Sequence, residues 1–166
     1  MLTLYLVRHA KSSWSHPGLR DHDRPLNERG LRDAPRMAQL LVEHQTALPD
    51  LLVSSTAKRA LSTAVYFAEA FGLEHDAIQQ EPRIYEAYPE DIVRILSELP
   101  DSVKTVMLFG HNPTFTSVAN IFAGDDLIEN VPTCGVVKIV STAEDWKSFY
   151  DGNSRLTACF FPKEVL

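Results

Sequence analysis

The sequence has little of what would place it in several common classes. It carries two cysteines, Cys134 and Cys159, too few for a disulfide framework or a thiolate metal set, so both are expected to be reduced core thiols. It has no long apolar run. The opening stretch Met1 to Val7 passes directly into Arg8-His9-Ala10-Lys11 and is too short for a signal segment or a membrane span. A cytoplasmic protein without a membrane partner is the expectation. Positive charge is in deficit: 16 Lys+Arg stand against 22 Asp+Glu, a formal charge of −6. That balance leaves no broad phosphate-neutralising surface and argues against a general nucleic-acid binder. Repeats, low-complexity tracts and Gly/Ser linkers are missing. So are the GxxxxGK and GxGxxG phosphate loops and the Gly-x-Ser-x-Gly setting of a serine nucleophile.

What remains is 166 residues, 45% hydrophobic and 23% charged, which fits one globular domain spanning 1–166. Short apolar runs alternate with longer segments of helical spacing. Leu2 to Val7 is nearly continuously apolar, as in a strand covered on both faces. Leu31, Ala34, Ala38, Leu41 and Val42 mark a helix entered near Asn27, which kinks at Pro35 or restarts after Asp33. Leu51-Leu52-Val53 is a second strand, and Ala60, Leu61, Ala64, Phe67, Ala68 and Phe71 form a helix ended by Gly72. Pro89-Glu90-Asp91 opens a short helix. Thr105 to Phe109 is a third strand, after which Asn112-Pro113 caps a helix through Val118 and Phe122 to Gly124. Val136–Val140 and Leu156–Phe161 read as further strands. The pattern predicts an α/β three-layer sandwich, a mostly parallel central sheet with helices on both faces.

Ligands bind such sheets outside the carboxyl ends of the strands, so the strand–helix junctions carry the functional argument. The first strand ends in Arg8-His9. The second leads to Ser54-Ser55-Thr56-Ala57-Lys58-Arg59, which puts Arg59 in the first turn of a helix, where a cation opposes the helix dipole unless an anion is near. The third ends in Gly110-His111-Asn112-Pro113, with His111 just ahead of a helix N-terminus, a position suited to anions. Taken alone, each residue has a plain structural explanation: a hydrogen-bonded or solvated histidine, a solvated helix arginine, a pairing partner at a strand end. Together they place two guanidiniums and two imidazoles at one sheet edge, a combination suited to a phosphoryl group. Asp21-His22-Asp23 invites a metal check, but no second ligand cluster lies at a useful spacing.

Leu4-Tyr5-Leu6-Val7-Arg8-His9-Ala10-Lys11-Ser12 resembles the opening strand and catalytic motif of the histidine phosphatase, or phosphoglycerate-mutase-like, superfamily. The chain most resembles its small branch of SixA-type phosphohistidine phosphatases. Asp23-Arg24-Pro25-Leu26-Asn27-Glu28-Arg29-Gly30, Ser54-Ser55 with Arg59, Gly110-His111-Asn112-Pro113 and Pro132-Thr133-Cys134-Gly135 follow in the family's order. The resemblance implies that His9 is the nucleophile, that Arg8 and Arg59 hold the phosphate oxygens, and that His111 stabilises developing charge. It places Glu86 roughly where the family has a proton-donating carboxylate, although the surrounding motif differs and a solvated loop glutamate is an equal reading. Ala10 departs from the commoner glycine. Lys11, Ser12 and Trp14 are either pocket-mouth residues or an exposed loop. No metal or organic cofactor is implied, since guanidiniums supply the neutralisation. The expected partner is a phosphorylated protein such as a phosphotransfer domain, or alternatively a small phosphorylated metabolite. A phospho-binding module without turnover is the reading from another class.

Overall fold

The apolar runs become neighbouring strands of one sheet. The structure is a computed structural model and describes residues 1–44 and 47–166. Its strands are β1 (Leu2–Arg8), β2 (Leu51–Ser54), β3 (Ile78–Gln80), β4 (Thr105–Gly110), β5 (Val136–Ser141) and β6 (Ser154–Phe160). Among the described residues they form a single sheet in the order β3-β2-β4-β1-β5-β6. The first four strands run parallel, and β5 runs antiparallel to both β1 and β6. The predicted mostly parallel sheet is therefore present. β3 was not predicted: three residues, of which only Ile78 is buried, carry no readable periodicity.

Successive side chains of β1 go to opposite faces, and both faces are covered. Tyr5 and Val7 join Met37, Leu41 and Phe67 under α1 (Glu28–Glu43) and α2 (Lys58–Ala70). Leu4 and Leu6 join Ile92, Ile95, Phe115 and Val118 under α3 (Pro89–Ser97) and α4 (Thr114–Phe122). This double burial is why the strand reads as an unbroken apolar run. Among the described residues no helix is long and apolar enough to cross a membrane.

Three helix details refine the sequence reading, and the last two differ from it. α1 passes through Pro35 without restarting; proline removes one N–H, while the fully buried Ala34, Met37, Ala38 and Leu41 around it hold the helix to the sheet. Leu31 lies off that face, 49% exposed, and Met37 takes the core position instead. α4 starts at Thr114, with Pro113 just outside, and Asn112 Oδ1 accepts from the Thr116 N–H. The N-cap Asn27 and the terminator Gly72, with φ +73, stand where the sequence put them.

The first turn of α1 is pressed onto the loop that follows β1. Asn27 N–H donates to the Lys11 carbonyl at 2.9 Å, and a Cβ built on Gly30 would lie 2.2 Å from the same oxygen. In an unobstructed helix Gly→Ala gains up to about 1 kcal/mol. Here Gly30→Ala is expected to lose about 1–3 kcal/mol in urea unfolding, because backbone must move; a gain in stability would contradict the close approach.

Candidate active site

β2, β4 and β1 are adjacent, so the three junctions open at one edge of the sheet. The His9 N–H donates to the Gly110 carbonyl at 3.0 Å and the Ser55 N–H to the Phe109 carbonyl at 2.9 Å, fixing both junctions to the end of β4. From the other side the Cys134 N–H reaches the Arg8 and His9 carbonyls, at 3.1 and 3.0 Å, while Arg8 Nη1 donates to the Val131 carbonyl at 3.0 Å. Burial pushes the Cys134 thiol far up, so it stays protonated. Arg8, His9, Arg59 and His111 all line one cavity of about 290 Å³. The two imidazole centroids are 5.3 Å apart. Lys11, Ser12 and Trp14 line the same cavity.

The ring of His9 has a defined hydrogen-bond polarity. Its Nδ1 lies 2.7 Å from the Ala10 carbonyl oxygen, which can only accept, so Nδ1 carries the proton and Nε2 keeps its lone pair. Burial drives the imidazole down to about 4, against the pull of that carbonyl and helped by the Arg59, Arg8 and Arg24 charges. His111 is driven to about 3 by burial first, then by His9 and Arg59. Its Nε2 is 2.8 Å from Ser55 Oγ. That hydroxyl accepts the Ala57 N–H at 3.1 Å; when it donates its own hydrogen to His111 Nε2, Nδ1 is a donor.

Asp21 is the residue that sequence reasoning undervalued. Its Oδ2 accepts from Arg59 Nη2 at 3.0 Å and from the Tyr85 hydroxyl at 2.7 Å, and its Oδ1 accepts from Arg24 Nε at 3.0 Å. Its backbone carbonyl accepts from Arg59 Nη1 at 2.7 Å. Burial alone would raise this carboxyl; the hydrogen bonds from Tyr85, Arg59 and Arg24 outweigh it and hold Asp21 well below the usual carboxylate range. Asp21 is thus the anion that the dipole conflict at Arg59 called for. Arg24, also missed, lines the cavity, donates from Nη1 to Ser12 Oγ and the Ser13 carbonyl, and stacks 3.5 Å from the Trp14 ring centroid. Apart from its place in the Asp23-Arg24-Pro25-Leu26 motif, nothing in the local pattern of Arg24 distinguishes it from a surface arginine. His22 meets Thr56 and the Tyr85 ring. Glu86 is exposed in a left-handed conformation, φ 55, outside the cavity lining, while its neighbour Tyr85 reaches Asp21.

With imidazoles at about 4 and about 3, His9 and His111 carry no charge at neutral pH. Neither is expected to titrate between about pH 5 and 8 in histidine-ring NMR. The unfolded chain takes up these protons near the ordinary value of about 6.5 and the folded chain does not, so stability is held above that pH and falls as it drops towards 4. An imidazole transition near pH 6.5 from either residue would contradict their desolvation.

Comparison with known proteins agrees with this geometry. Residues 4–104 match the histidine phosphatase superfamily (branch 1). The chain is 31% identical to the uncharacterized protein Rv1276c of Mycobacterium tuberculosis, covering 95% of this chain and 100% of that one. It is 36% identical over 118 residues to phosphoserine phosphatase 1 of Hydrogenobacter thermophilus, covering 59% and 52% of the two chains. Among solved structures, a protein of Agrobacterium tumefaciens provisionally assigned as the phosphohistidine phosphatase SixA superposes with a TM-score of 0.80 at 32% identity, over 96% of this chain and 97% of that one. With its fold, its residue cluster and this family match in agreement, the chain belongs to the histidine phosphatase superfamily.

Proposed function

We propose that the protein hydrolyses phosphohistidine on a phosphorylated protein, with His9 as the nucleophile. One observation carries the reading. Among the described residues the buried side-chain polar atoms without a hydrogen-bond partner are Arg8 Nε, Arg59 Nε and His111 Nδ1. Each unsatisfied buried group costs about 1–3 kcal/mol, and all three belong to residues of the same cavity. A tetrahedral oxyanion offers acceptors to such a set.

In the proposed reaction His9 Nε2 attacks phosphorus while the bond from phosphorus to the leaving nitrogen breaks; that nitrogen keeps the electron pair, and the substrate ring, protonated on its other nitrogen, departs as neutral imidazole. The phosphoryl group is then on His9, and water attacks it to release inorganic phosphate and return the imidazole. Arg8 and Arg59 hold the oxygens, and His111 Nδ1–H stabilises the charge that develops on them. Arg24 adds to the positive field, so neutralisation comes from guanidiniums and no metal is needed.

The leaving group separates the substrate classes. An alkoxide needs a proton as it departs, yet Asp21 is held ionised and Glu86 lies outside the cavity lining. An imidazole leaves more readily, since its ring nitrogen protonates near neutrality. The cavity, about 290 Å³, is at the small end for ligand pockets of ~300–1,000 Å³ and suits a presented side chain. The Agrobacterium relative, provisionally assigned as a phosphohistidine phosphatase, supports the same choice. A small-metabolite phosphatase is the second reading, favoured by the similarity to a phosphoserine phosphatase.

Steady-state turnover is the direct test, with a phosphorylated phosphotransfer domain compared with phosphoserine and p-nitrophenyl phosphate. The domain is expected to have the highest kcat/KM, unchanged by EDTA, and His9→Ala is expected to lose about 10³-fold or more while remaining folded. Preference for phosphoserine would select the metabolite reading, and wild-type-like hydrolysis by His9→Ala would remove the nucleophile assignment. Glu86→Gln is expected to leave phosphohistidine hydrolysis within about twofold; a loss of about 10²-fold, the size of a general-acid effect, would make Glu86 the proton donor.

A further inference from the structure

The geometry points to a docking surface for an acidic protein on the flank of α1, continuous with the mouth of the cavity. Thr133 lines the cavity, and its hydroxyl accepts from Arg29 Nη2 at 3.0 Å. Arg29 begins a row. Arg32 and Arg36 follow at spacings of three and four, which keeps them on one flank of the helix along about 10 Å of its axis. Lys163 of α5 (Pro162–Val165) completes a groove of about 360 Å³. Asp33 is the only carboxylate side chain in its lining. It is 12% exposed and meets Arg29 and Arg32 through Nε, at 3.8 and 3.5 Å. The side chains of Arg36 and Lys163 have no hydrogen-bond or ion-pair partner among the described residues.

A chain of net charge −6 repels acidic partners at long range, so four cations in one groove beside the cavity give it a single oriented attraction. The row is short and the remaining surface acidic, which suits a compact acidic patch and not an extended polyanion. Trp14, 74% exposed at the cavity mouth, supplies an aromatic surface of the kind that anchors protein interfaces. A phosphorylated side chain in the cavity would place the protein bearing it over Thr133 and onto Arg29, Arg32 and Arg36. The inference rests on the protein-substrate reading above and gives that substrate a charge.

The test uses a phosphotransfer domain of net negative charge, with dissociation constants read by calorimetry and turnover by phosphate release. Arg32→Glu combined with Arg36→Glu is expected to weaken binding of the domain at least tenfold at low salt. The deficit should shrink in about 0.5 M salt, where surface charges are screened, and p-nitrophenyl phosphate turnover should stay within about twofold of wild type. Equal binding by wild type and variant, no binding by wild type, or a matching loss on p-nitrophenyl phosphate would overturn the docking surface. So would an RNA oligonucleotide that displaces the domain from the wild type at lower concentration than unlabelled domain does. Salt-sensitive binding that the variant loses, without phosphate release by the wild type, would uphold the surface and defeat the phosphohistidine reading.

Discussion

In the parallel pairing of β1 with β4, Arg8 lies opposite Gly110, and the next residue of each strand, His9 and His111, leaves the sheet at the same edge. Everything at the site follows from that register. A slip of one residue would exchange the faces of β1, sending Tyr5 and Val7 to the layer that now holds Leu4 and Leu6, so the two packed cores enforce the alignment of the two imidazoles. Gly110 belongs to the same constraint: a Cβ there would lie 2.5 Å from Phe115 Cζ and 2.8 Å from Ile84 Cγ2. Hydrophobic packing on both sides of the sheet thus sets the separation of two polar rings at its edge.

Charge at that edge is deliberately unbalanced. Asp21 is shared between Arg24 and Arg59, while Arg8 reaches only a backbone carbonyl and Lys11 adds a further cation to the cavity lining. Burial first, and that excess second, keep the imidazoles neutral, and a neutral imidazole is what a nucleophile and a directional N–H donor require. The phosphoryl dianion of the proposed substrate would correct the imbalance. Ground-state stability is given up locally for complementarity to an anion, the kind of conflict expected where a site and a fold make opposing demands.

The sheet, its helices and the four convergent residues were legible because each rests on a local pattern: apolar runs, helical spacing, and charged residues at strand ends. Arg59 was informative because a cation in a first helical turn is unfavourable and needs an explanation. Asp21 supplies it from 38 positions away, a separation over which spacing says nothing. Arg24 was opaque for the same reason, being defined by contacts with Ser12, Ser13, Trp14 and Asp21 that exist only once the loop after β1 has folded. β3 escaped notice because its three residues owe their conformation to pairing with β2, and Leu31 was misplaced because a three-or-four spacing fixes a stripe only to within one residue of its edge.

Thr63 sits behind the reacting groups. Its hydroxyl accepts the Ala10 N–H at 3.0 Å and donates to the Arg59 carbonyl at 2.8 Å, wholly buried. One oxygen therefore joins the peptide that follows His9 to the helical turn that carries Arg59. In the proposed reaction, the attacking group and one half of the oxyanion clamp are thereby tied to each other through a single hydroxyl.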